Sequence, residues 1–132
     1  MRIDFISKLF WKKPSEAEIL NTGLVFAMEF GENWLKPIQQ RLFKKYNYLT
    51  KEQLDNYNSI CKAALNDGVR FMETTLEKIS DQKQTIQEQE LKDQLRVFML
   101  AKYPWIDRNA LAHLFNQGCY YNWKEGLSGA IS

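Results

Sequence analysis

The sequence predicts an all-α protein, an antiparallel bundle of four principal helices with shorter helical pieces and short loops. Three observations lead there. Apolar residues recur at spacings of three and four over long windows, as they do along one face of an α-helix. Three segments open with Ser or Thr followed three positions later by Glu or Gln, the reciprocal capping box of a helix start: Ser15 with Glu18, Thr50 with Gln53 and Thr85 with Glu88. No stretch alternates apolar and polar residues over a useful strand length.

Residues 1–13 carry Ile3, Phe5, Ile6, Leu9, Phe10 and Trp11 among Arg2, Lys8, Lys12 and Lys13. The preferred expectation is a short N-terminal helix docked on the body, because charge interrupts its apolar arc. The alternative is a basic amphipathic helix on a membrane surface. Pro14 ends it, and the capping box at Ser15 opens a helix expected to reach Tyr46. Leu20, Leu24, Ala27, Gly31, Trp34 and Ile38 form its stripe. Ile19, Val25, Phe26, Met28 and Phe30 lie off that stripe, so this helix is expected to be central and enclosed by its neighbours. Gly31 and Pro37 bracket a kink or break, since Pro lacks an N–H and crowds the carbonyl four residues back.

The next helix opens at Thr50, with Leu49 and Leu54 as its hydrophobic staple. Leu54, Cys61, Leu65, Gly68, Met72, Leu76 and Ile79 share one face. Asp67-Gly68 is a turn signal, but the apolar face keeps its phase across it. One helix over 51–80 is therefore favoured over two, with Gly68 a point of close approach, as Gly118 is on the last helix. After a polar loop at 80–84, the helix opening at Thr85 buries Leu91, Leu95, Phe98 and Met99. It stops at Tyr103, which precedes Pro104. Asp107 caps the last helix, with Ile106 and Leu111 as staple and Gly126 as the residue just past its end. Residues 127–132 are small and expected to fray.

One domain spanning 1–132 accommodates all of this. At this length a chain buries roughly two thirds of its unfolded surface, enough for a core without staples. With 45% hydrophobic and 26% charged residues the chain is globular rather than disordered. A net charge of +2 and the lack of a long Lys/Arg block argue against a nucleic-acid partner. Cys61 and Cys119 are isolated and read as core thiols. No segment has the length of a membrane span, and the expected location is cytoplasmic.

Catalytic and metal chemistry find little support. His113 is the single histidine, no Glu-x-x-His motif occurs, and no Gly-rich phosphate loop or nucleophile motif is present. No cofactor, metal or catalytic residue is assigned. The informative surface is the polar side of the last helix. A plain solvated face carries Lys and Glu, whereas this one carries Asn109, His113, Asn116, Gln117 and Tyr120, flanked by Trp105 and Trp123. Uncharged hydrogen-bonding groups with aromatics suit a protein interface. These seven residues are the candidate partner-binding set of a non-enzymatic interaction module, one that regulates or inhibits another protein or pairs with its own copy. Two alternatives stand beside it: membrane association through residues 1–13, and a small apolar ligand held beside Trp34. Packing of the polar face under the protein's own chain would remove the motive for the leading reading.

Overall fold

The computed structural model describes residues 13–132. The expectations for 1–12, a docked or membrane-lying helix, fall outside the described residues. Among those described are five α-helices: α1 Glu16–Ala27, α2 Gln39–Lys45, α3 Lys51–Asp81, α4 Glu88–Lys102 and α5 Arg108–Lys124. Two 3-10 turns, Gly31–Asn33 and Ser128–Ala130, complete them. The expectation of four principal helices is thus replaced by five, because the segment 15–46 divides.

Helix starts follow the local chemistry where nothing competes with it. Ser15 Oγ accepts from Glu18 N at 3.1 Å. Thr50 and Gln53 form both halves of a capping box, at 3.1 and 2.9 Å. Asp107 Oδ1 accepts from Ala110 N at 2.8 Å. The third box does not form: α4 begins at Glu88, and its preceding residue, Gln87, makes no side-chain cap. Ile86, inside the expected box, is instead held extended by the C-terminal tail. Its N–H donates to Ala130 O at 2.8 Å, and its carbonyl accepts from Ser132 N at 2.9 Å. Residues 127–132 are accordingly not frayed. Ala130 and Ile86 are buried, and Leu127 and Ile131 pack against the core.

The helix expected to be central ends at Ala27. Gly31 and Leu35 turn the chain in left-handed conformations, with φ of +83° and +63°, and α2 starts only after Pro37. Two distant side chains complete the early ending. Arg41 Nη1 donates to Phe26 O, and Gln117 Nε2 donates to Met28 O at 2.8 Å. They satisfy carbonyls that a continuing helix would have bonded itself. The Arg41 guanidinium also places positive charge at the negative end of the α1 dipole.

The organising helix is α3. Its 31 residues run unbroken through Asp67 and Gly68, a length of about 46 Å at 1.5 Å per residue, and it packs against every other described helix. Its face of Leu54, Cys61, Leu65, Gly68, Met72 and Leu76 is buried. α3 and α5 meet through reciprocal glycine contacts. Leu114 lies over Gly68, where an added Cβ would come within 2.6 Å of Leu114 Cδ2, and Met72 lies over Gly118. α1 approaches α3 at Gly23, where a Cβ would sit 2.9 Å from Cys61 Sγ. The Gly68–Leu114 and Met72–Gly118 pairs advance together, so α3 and α5 run in the same sense. α4 returns between them in sequence: Phe71 stacks on Phe98 at 4.4 Å, and Tyr103 bonds Asp67.

Candidate functional site

The seven sequence-selected residues do not form one surface. Trp105 lies in the turn before α5. Its ring is half-buried against Tyr103, with centroids 6.0 Å apart, and its carbonyl accepts from Asn21 Nδ2 at 2.7 Å. Asn109, His113 and Asn116 are exposed along α5. His113 Nδ1 sits 2.9 Å from Asn109 O one turn back, so the proton on Nδ1 is directed at that carbonyl.

Gln117 departs from the expectation. It is 5% exposed, and its amide is spent on the α1 terminus at Met28. A buried amide with a protein carbonyl as partner belongs to the packing of the chain rather than to a docking surface.

The far end of α5 gathers what the sequence scattered. Tyr120 meets Phe30 at 5.3 Å and Trp34 at 5.7 Å between ring centroids, and Phe30 meets Trp34 edge-on at 5.0 Å. Trp34 Nε1 donates to Tyr121 Oη at 3.1 Å, and Trp123 lies 6.3 Å from Tyr120. Edge-to-face contacts of this kind follow from the quadrupole of each ring. Lys124 Nζ lies 5.4 Å from the Tyr120 centroid and 5.8 Å from that of Trp34, within cation–π range. The rings come from two elements: the last turns of α5, and the 28–38 connection whose backbone is bent at Gly31 and Leu35. Phe30, Tyr120 and Tyr121 all pack against Trp34, so the apolar-ligand expectation beside Trp34 meets a ring cluster.

Phe30 and Arg41 lie outside the sequence-selected set, because Phe30 was read as a helix position and no spacing singles out Arg41. Arg41 fixes the connection. Beyond Phe26 O, its guanidinium pairs with Glu29 at 3.2 Å and donates to Lys36 O at 3.0 Å. Asn33 Nδ2 holds the same Glu29 oxygen at 3.0 Å.

Titratable groups elsewhere have structural causes. Burial pushes the Cys61 thiol up to about 12, and its S–H is directed at Leu20 O, 3.3 Å away. Burial also raises Cys119. Hydrogen bonds from Lys102 and then Tyr103 hold the Asp67 carboxyl below the usual carboxylate range. Burial, reinforced by Asp67, pushes the Tyr103 phenol up to about 12. Among the described residues no group of three His, Cys, Asp or Glu side chains is placed to hold a metal ion, and no helix is long and apolar enough to cross a membrane. Compared with known proteins, the chain matches no family, no curated protein and no solved structure.

Proposed function

We propose that this protein is a non-enzymatic interaction module, a small cytoplasmic helical bundle that binds a partner protein and regulates or inhibits it. The docking surface is the aromatic end of α5 together with the 28–38 connection. Trp123 and Tyr120 come from the sequence-selected set, joined by Phe30 and Trp34, while Asn116 and His113 extend the surface along α5.

The observation that carries the proposal is the exposure of large apolar groups on a preassembled cluster. Trp123 is 64% exposed and Phe30 53%, and both rings meet Tyr120. A lone exposed ring needs no explanation, but adjoining ones form the kind of patch that marks interaction sites. Because the rings already brace one another, little side-chain freedom remains to be lost on binding.

Affinity capture from the native host tests this, with the full chain and its Trp123→Ala variant as baits and quantification by mass spectrometry. A partner held by the wild type should be lost from the variant, since truncating a central interface aromatic costs about 2 kcal/mol, roughly thirtyfold in affinity. The variant should melt with the wild type, because Trp123 is on the surface. Identical captured sets from both baits reject the assignment of the site. The homodimer expectation is checked by sedimentation over a concentration series, and the membrane alternative by co-sedimentation of the full chain with vesicles.

A further inference from the structure

A second cleft opens beside the 28–38 connection. Ala27, Ile38 and Leu65 contribute its apolar lining, from α1, the start of α2 and α3, around a cleft of ≈ 310 Å³. That volume is at the small end of ligand sites. The charged residues lining it are Lys36 and Lys62, and no carboxylate lines it. Neither lysine makes an ion pair among the described residues. Asn58 sharpens the polarity. Its Oδ1 is committed to the Ile38 N–H at 3.1 Å, which fixes the amide orientation and leaves the Nδ2 hydrogens to donate. Ammonium groups and an amide donor beside an apolar lining select an anion attached to an apolar body.

Leu35 adds an independent observation. It lines the same cleft, is 75% exposed and holds φ at +63°, a conformation that L residues other than Asn and Asp seldom adopt. An exposed leucine in that conformation gains nothing from the core. An occupant of the cleft would give its side chain a surface to cover.

We propose that this cleft binds a small apolar acid, an aliphatic or aromatic body ending in one carboxylate. The carboxylate is received by Lys36 and Lys62 with the Asn58 amide, and the body lies on Ala27, Ile38 and Leu65 beside Leu35. The site is independent of the partner surface: the lysines, Asn58 and the apolar lining take no part in the ring cluster.

The test uses n-decanoate below its micellar range, titrated into the full chain and followed by backbone amide shifts in NMR. n-Decanol serves as the uncharged probe and decyltrimethylammonium as the cationic one. Saturable shifts should map to Ala27, Leu35, Ile38 and Leu65. Decanoate should bind about tenfold more tightly than decanol, the increment expected of charge-assisted hydrogen bonds at a partly solvated site. The Lys36→Glu/Lys62→Glu variant should lose that preference, keep decanol binding and favour the cationic probe, whereas Trp123→Ala should retain decanoate binding. Equal affinity for decanoate and decanol, shifts mapping elsewhere or nowhere, or undiminished decanoate binding by the double lysine variant would overturn the proposal. None of these outcomes depends on whether Trp123 captures a partner.

Discussion

Gly68→Ala tests the close approach of α3 and α5. In an exposed helix this change stabilises by about 1 kcal/mol, because alanine loses less backbone freedom than glycine. Here the new Cβ would lie 2.6 to 2.9 Å from Cδ2, Cδ1 and Cγ of Leu114, a side chain with 0% exposure. Since the branch carbon is among the three, rotating a single methyl away does not relieve the overlap; the whole side chain or the helix must shift. Overpacking of that kind costs about 1–3 kcal/mol, and the rigid neighbour places it near the upper end. Subtracting the propensity gain leaves a net loss of about 2 kcal/mol. With about 2.1 cal/mol/K of unfolding entropy per residue, 132 residues turn that into a fall in Tm of roughly 7 °C, readable by calorimetry. Gly129→Ala is the control, because an added Cβ there meets nothing within 4 Å. Leu114→Ala alone should cost about 2–5 kcal/mol through its cavity, and adding Gly68→Ala to it should then be neutral or stabilising. A Gly68→Ala chain that melts higher than wild type would refute the close α3–α5 packing.

Three further outcomes follow from specific contacts. Asn21→Ala removes a side chain that accepts from Asp107 N and donates to Trp105 O and Ala17 O; urea unfolding should show a loss of about 2–3 kcal/mol, and an unchanged midpoint would mean that the α4–α5 turn is held by other means. Because hydrogen bonds from Lys102 and Tyr103 lower the folded pKa of Asp67, its contribution is present above the unfolded value of about 3.9 and is lost as pH falls through the folded value. The Tm gap between wild type and Asp67→Asn should therefore be open at pH 7 and close under acid; it should be small, since Lys102 is 57% exposed. A gap that is constant with pH would contradict the assignment. Deleting residues 127–132 uncovers Ile86 and strips Leu127, Ala130 and Ile131 from the core, which should cost about 2 kcal/mol or more in denaturant titration. Equal stability of the truncated chain would return the tail to the frayed state expected from its composition.

Interactions that close within a single turn were determined by the sequence itself. Ser15, Thr50 and Asp107 cap because their side chains reach an N–H about three residues ahead, whatever the rest of the chain does. Tyr103 ends α4 because Pro104 follows it, and the phase of α3 through Gly68 could be read from spacing alone. Tertiary structure decided what depends on a partner far away in the chain. Thr85 lost its capping role because the Ile86 backbone found Ala130 and Ser132, and α1 stopped at Ala27 with its carbonyls taken by Arg41 and Gln117. Both outcomes moved the centre of the fold from the 15–46 segment to α3, which among the described helices is the one that touches all the others. The site divided for the same reason. Asn109, His113 and Asn116 carry the exposure that helical phase predicts, whereas the amide of Gln117 was claimed by Met28, 89 positions earlier. Phe30 and Trp34 joined Tyr120 because the 28–38 connection folds back onto α5, and no periodicity within either segment encodes that meeting.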